Sequence, residues 1–385
     1  MTLMPKRQLA IFSAVAQLLI APLAVAAQGQ QPPQFSLREA PGLLMPGARE
    51  FDVTWGVDGN SPAERDAEGR LIIFNSLQYP WRSVGANLFQ MNPSERVTII
   101  NRETIEGGLW LEATYRDADG VMFGWFHNEV SAGCANDLLS VPRIRQMISR
   151  DDGRTWEDLG VVLEAPVDSL QCDTANFYFA GGVGDFSVIF DPATNYFYFY
   201  FSTYNRQIEE QGVAIARLHY QDRFNPAGAV RKWNNEGWDE PGIGGRVWPI
   251  FPAASDWHQA NADAYWGPAI HYNTWLRQYV MLLNRAVNAD WGTEGIYVSF
   301  NADIGNPSGW NAPQRLPMEM DSPFQAYPQV IGLEADGTDK SAGQIARLFL
   351  SGQSNWEIVF GPSLLIPERS LREPGDRDRY PKREP

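Results

Sequence analysis

Three carboxylates stand out as groups able to do chemistry: Asp58 in GVDGNSPA, Glu112 in LWLEATY and Asp185 in GGVGDFSV. Each sits where a polar stretch enters an apolar, strand-like run. An acid buried among aromatic side chains costs free energy unless it is paired or protonated, so three in matching positions point to a use. Two carboxyls flanking a glycosidic bond supply one. A protonated acid donates to the departing oxygen while an ionised one assists water or attacks the anomeric carbon. A third holds the acid's proton in place by charge repulsion. Glu112, among Trp110, Leu111, Ala113 and Tyr115, is the hardest to explain structurally. Asp58 also reads as a turn residue in VDGN, and Asp185 as a hydrogen-bonding group at a strand start. The trio carries the reading, not any one member.

Similar strand starts offer groups for a substrate: Asn60, His127 in GWFHNE, Trp266 and His271 in WGPAIHYN, and Tyr327 and Gln329 in AYPQVIG. Arg82 (YPWRSVG) and Arg143 (SVPRIRQ) would hold a substrate carboxylate bidentately, or else form surface ion pairs. No histidines stand at the i, i+4 spacing of a zinc site, so no metal is expected. GxSxG, P-loop and dinucleotide fingerprints are also missing from the sequence.

These residues need a scaffold that converges strand starts. Helical periodicity is scarce, and alternating, β-branched and aromatic runs broken by Gly, Pro, Asn and Asp dominate. The runs recur in a shared order, as in GDFSVIFDPATNYFYFYFSTYN and WGPAIHYNTWLRQYVMLLNRA. Five such units, each near the size of a four-stranded blade, predict an all-β chain closed as a five-bladed β-propeller. A six-bladed, sialidase-like propeller is the alternative, with an irregular unit hidden between Asn225 and Asp256. The expected division is a signal peptide over 1–27, an N-terminal extension over 28–50, the propeller over 51–362 and a charged, Pro-rich tail over 363–385.

One further motif bears on the fold. SRDDGRTW, Ser149 to Trp156, resembles the Asp-box of sialidases and related propellers, with Ser149, Asp151, Gly153, Thr155 and Trp156 at its fixed positions. In those families the box is a hairpin turn between outer strands of a blade, so its charges mark architecture rather than a reaction centre. The five units and the Asp58, Glu112, Asp185 order instead look similar to the five-bladed glycoside hydrolases of family 43. That resemblance implies Asp58 as base or nucleophile, Asp185 as modulator of pKa and Glu112 as acid. The order departs from the family's, in which the acid Glu follows the middle Asp. NSPA, WGPAIHYN and YPQVIG also look like segments of uncharacterised exported bacterial propellers.

Composition sets outer bounds. A net charge of −15 argues against nucleic acid or anionic lipid as partner. Much of the 14 Trp, 14 Tyr and 20 Phe belongs to a core, but an excess of Trp beside acidic residues also suits the flat faces of sugars. Lys6 and Arg7, the apolar run Leu9 to Ala27 and the AVAA end read as a secretory signal, which predicts a periplasmic or secreted protein with no membrane insertion after cleavage. Cys134 and Cys172, the two cysteines, form a disulfide in an exported chain or else two free thiols. The expectation is an exported glycoside hydrolase acting on an oligo- or polysaccharide as a monomer. It requires no cofactor, and nothing in the sequence asks for a structural calcium in the central channel. The alternatives are a non-catalytic carbohydrate-binding propeller and a sialidase-like enzyme, which would need Arg82, Arg143 and Arg285 to converge.

Overall fold

A computed structural model of the chain describes residues 32–49, 56–320 and 326–361. The signal segment and the charged tail lie outside the described residues. Helix is confined there to short 3-10 turns, and no helix is long and apolar enough to cross a membrane.

The strands form five mainly antiparallel sheets, the blades of a propeller. Their inner strands are Ala63–Arg65, Gly108–Arg116, Val183–Asp191, Ala264–Asn273 and Gln329–Gly332. Asn225 to Asp256 hides no sixth blade. Its short strands Arg231–Lys232, Glu240–Pro241 and Phe251–Pro252 join the outer part of blade three.

Blade stacking explains why the strands read as unbroken apolar runs. Tyr196–Thr203, YFYFYFST, is buried on both faces. Successive side chains of a strand point to opposite faces. Phe197, Phe199 and Phe201 therefore pack with Phe123, Trp125 and Ile144 of blade two. Tyr198 and Tyr200 pack with Met281 and Leu283 of blade four. Comparable clusters join blades one and two through Phe74 and Trp156, four and five through Leu282 and Leu348, and five and one through Phe349 and Ile73.

The ring is closed by a strand from an unexpected place. Gln34–Leu44, in the segment read as an extension ahead of the propeller, pairs antiparallel with Gln353–Gly361 and forms the outer strand of blade five. Phe35 and Leu37 face the core between blades four and five, while Arg38 stays exposed and pairs with Glu357. The first and last described strands thus share one sheet, which covers an edge that would otherwise be open.

Candidate active site

The inner strands lose register near one mouth of the channel, and that is how the carboxylates reach it. In a regular strand Leu111 and Ala113 would share a face. Here Leu111 packs toward blade one and Ala113 toward blade three, because a bulge at Glu112 turns the acid inward. A second bulge lies between Gly184 and Phe186, where Asp185 takes φ 41°. Blade four breaks between Trp266 and Ala269, and Tyr327 enters blade five at φ 51°. A side chain at Gly184 would collide with the His127 ring, whose Cε1 lies 2.4 Å from where a Cβ would stand. Glycine therefore lets the histidine reach the backbone of Asp185.

The three acids line one cavity of about 310 Å³, together with His127, Trp110, Trp266 and Tyr327. Asp58 accepts the indole N–H of Trp110 at 3.2 Å and lies 3.1 Å from the hydroxyl of Tyr327. The same hydroxyl is 3.1 Å from Asp185 Oδ1, and Tyr204 donates to Asp185 Oδ2. Glu112 Oε2 accepts the N–H of Phe186 at 2.7 Å.

Burial pushes Glu112 well above the usual carboxyl range, and the charge of Asp185 adds to the effect. Asp185 is raised for the same first reason. Burial, with the charges of Glu129 and Asp185, pushes Asp58 up to about 6. Asp58 is the one acid of the three with appreciable exposure to the cavity, so water there opposes its rise. Two carboxyls with unequal affinity for a proton are what acid–base work on one bond requires.

His127 sits behind them. Burial works against its charge, while its hydrogen bond to Glu129 and the charges of Asp185, Glu112 and Glu129 favour it. The contacts of the ring decide between them. Nδ1 accepts the Asp185 N–H at 3.0 Å and so carries a lone pair, while Nε2 lies 3.1 Å from Glu129. In this geometry the ring is neutral, with its proton on Nε2. The local excess of negative charge is then relieved by protons on the carboxyls. Glu112, His127 and Asp185 each bring one ligand-type atom within 4.8 Å of the others, but the histidine nitrogens and Glu112 Oε2 are already engaged in protein hydrogen bonds.

Aromatic rings make the rest of the wall. Trp291 stacks on Trp257 at 4.6 Å and meets Trp266 edge-on at 4.7 Å, and Phe179 stacks on Tyr204 at 4.6 Å. Tyr178 and Phe179 come from the long connection between blades two and three. The Cys134–Cys172 disulfide, with its Cα atoms 5.5 Å apart, ties that connection to the adjacent hairpin. Farther along the inner strands Lys340 fills the channel, 3.2 Å from Glu64 and 2.7 Å from Asp339.

Of the residues expected at the site, Asp58, Glu112, Asp185, His127, Trp266 and Tyr327 meet in the cavity. Asn60 and Gln329 lie beneath it as scaffold. Asn60 donates to the carbonyls of Phe186 (2.7 Å) and Pro268 (3.0 Å), and Gln329 pairs with the backbone of Ser61. Arg82, Arg143 and His271 do not line the cavity, which corrects their expected role. Arg82 is buried against Asp152 O and Glu95, and Arg143 is held by Asn128 and Glu164. His271 packs against Phe360, and burial pushes its pKa down to about 3. Arg285, wanted by the sialidase-like reading, pairs with Asp263 instead.

Trp110, Glu129, Tyr204, Tyr178, Phe179, Asp290 and Trp291 were not anticipated. Parity could have found two of them, since Trp110 and Glu129 stand two residues from Glu112 and His127. Topology could have found others. Leu77, Trp291 and Ser351 come from the turn between second and third strands of blades one, four and five, which must lie at the mouth where inner strands begin.

No family model and no curated protein matches the sequence. Solved structures do. One described as a glycoside hydrolase is similar over 91% of this chain and 96% of its own, with 13% identity and a TM-score of 0.53. An endo-arabinase from Bacteroides thetaiotaomicron is similar over 81% and 95%, at 12% identity and TM-score 0.48. An alpha-L-arabinanase from Cellvibrio cellulosa is similar over 79% and 91%, at 13% and 0.48. At such identities the likeness is one of fold: the chain is a five-bladed propeller similar in fold to a glycoside hydrolase, as its repeat order leads one to expect.

Proposed function

We propose that this propeller is an exported glycoside hydrolase whose reaction is carried by Asp58, Glu112 and Asp185. The observation behind the proposal is the convergence of three carboxyls, all raised, in an aromatic-lined cavity large enough for a sugar. Glu112, held in its protonated form by burial, donates to the glycosidic oxygen as the bond from that oxygen to the anomeric carbon breaks. Asp58, more open and fed by the Trp110 N–H, takes the proton of the attacking water or itself attacks the carbon. Asp185 and Asp58 together keep negative charge near Glu112 and delay loss of its proton. Among the described residues no lysine or arginine lines the cavity, and His127 is neutral in this geometry, which favours a neutral sugar over the acidic sugars of the sialidase-like reading. The disulfide supports export, because such bonds persist in oxidising compartments.

A panel of neutral aryl glycosides tested on the purified protein checks the reading. Glu112→Gln should lower kcat on a responsive glycoside by about 10²–10⁴-fold, the usual contribution of a general acid, while leaving the thermal transition in place. Retained turnover would sink the assignment of Glu112. The specific rival is a carbohydrate-binding propeller without turnover, favoured by the aromatic wall. It predicts saturable sugar binding that Glu112→Gln leaves intact, and no hydrolysis of any panel member.

A further inference from the structure

We propose that Tyr327 is a positioning residue that makes Asp58 and Asp185 share a single proton and passes it between them. The inference rests on the reading of these acids as reactive groups, but it follows from a count of hydrogens. The Tyr327 oxygen stands 3.1 Å from Asp58 Oδ1 and 3.1 Å from Asp185 Oδ1, close enough to hydrogen-bond both. A phenol has one proton to give, so it serves one carboxylate and offers a lone pair to the other. With both acids ionised, the second contact sets oxygen lone pairs against each other. With one proton on the pair, both contacts become hydrogen bonds.

The other oxygens are already supplied. Asp58 Oδ2 accepts from Trp110 and Asp185 Oδ2 from Tyr204, so neither acid needs Tyr327 merely to be satisfied. Among the described residues, the remaining titratable groups facing the pair are Glu112, His127 and Glu129 from blade two, with Tyr178 and Asp290 across the cavity. His127, neutral in this geometry, supplies no counter-charge that would let both acids ionise together.

The transfer balances. A protonated Asp58 gives its proton to the Tyr327 oxygen as the Tyr327 hydroxyl proton passes to Asp185. Two O–H bonds break, two form, and one proton moves net from Asp58 to Asp185 with no charge left on the phenol. In a hydrolytic cycle Asp58 works as the ionised member of the pair while Asp185 holds the shared proton. Once Glu112 has given its proton to the leaving group it takes the one on Asp185, whose carboxylate oxygen lies within 4.8 Å of a Glu112 oxygen. The proton that water left on Asp58 then passes through Tyr327 to Asp185, which restores the starting state.

The test is an infrared difference titration of the carboxyl C=O band in the substrate-free full chain. It reads the pair even if no glycoside is ever cleaved, so its failure is distinct from failure of the hydrolase reading. Tyr327→Phe should lower the upper carboxyl step by about one pH unit or more, because the shared-proton state loses two bonds and the doubly ionised state one. Tyr204→Phe, which removes a donor from Asp185 alone, should raise a step instead. A rise in Tyr327→Phe would show the phenol to be a plain donor to an anion and overturn the proposal. Should that variant not fold, Asp58→Asn and Asp185→Asn decide. A shared proton requires each to abolish the same upper step, and removal of two separate steps refutes sharing.

Discussion

At the scale of single residues the site trades stability for reactivity. Burial raises the Asp58 carboxyl from its ordinary 3.8 to about 6. The folded protein therefore holds a proton there that the unfolded chain gives up at lower pH, and it loses the associated stabilisation as pH rises from about 4 through about 6. Asp58→Asn removes the ionising group, so the variant should be more stable than the parent at neutral pH and not at pH about 4. The gain is on the order of 1–2 kcal/mol, below the full shift because Asp58 touches cavity water. Denaturant melts at the two pH values measure it, and an unchanged difference between them would remove the case for a raised carboxyl. The acids were legible in the sequence because an apolar neighbourhood makes a carboxylate conspicuous. Arg82 and Arg143 misled because a guanidinium reads the same whether it meets a substrate or, as here, Asp152, Glu95, Asn128 and Glu164.

At the scale of elements, local turn chemistry was readable and long-range breaks in register were not. SRDDGRTW forms the turn between Ser140–Ser149 and Thr155–Leu163, away from the cavity. Asp151 accepts from the Thr155 N–H (2.9 Å), the Thr155 hydroxyl (2.8 Å) and Ser149 (2.9 Å), and Trp156 is buried beneath with its N–H on Gly153 O. These contacts hold Asp151 below the ordinary carboxylate range against the upward push of burial. Asp151→Ala should cost about 1–3 kcal/mol by leaving these donors without an acceptor, with no change in kcat or KM on a responsive glycoside. A selective loss of turnover would contradict the assignment of this turn to architecture alone. The bulges at Glu112 and Asp185 had no such signature. A bulge is set by which blade each neighbour packs against, as Leu111 and Ala113 show, and that is knowable only once the blades are assembled.

At the scale of the whole molecule, the five units were evident from their repeated order, while the closure of the ring was not. Gln34–Leu44 alternates only briefly, and its partner Gln353–Gly361 lies at the far end of the sequence. A strand so distant leaves no local trace, which is why the segment read as an extension. Its structural role makes a strong prediction. A chain beginning at Met45 exposes the edge of Gln353–Gly361 and uncovers the core face that Phe35 and Leu37 shield, including the ring of Phe300, whose centroid lies 6.2 Å from that of Phe35. Partial burial of two such side chains contributes about 1 kcal/mol each, less than the full-burial value, and each ladder hydrogen bond about 1 kcal/mol. The truncated chain should therefore melt several kcal/mol lower and associate through the open edge, seen as larger species on size-exclusion chromatography. Arg38→Ala, which removes only the exposed pair with Glu357, should shift stability by less than about 1 kcal/mol. An unaltered melt and a monomeric profile for the truncated chain would mean that blade five closes without this strand. Loss of turnover in parallel with the melt would instead tie the cavity to the ring, since Tyr327 and Ser351 of blade five line the same pocket as Asp58 of blade one.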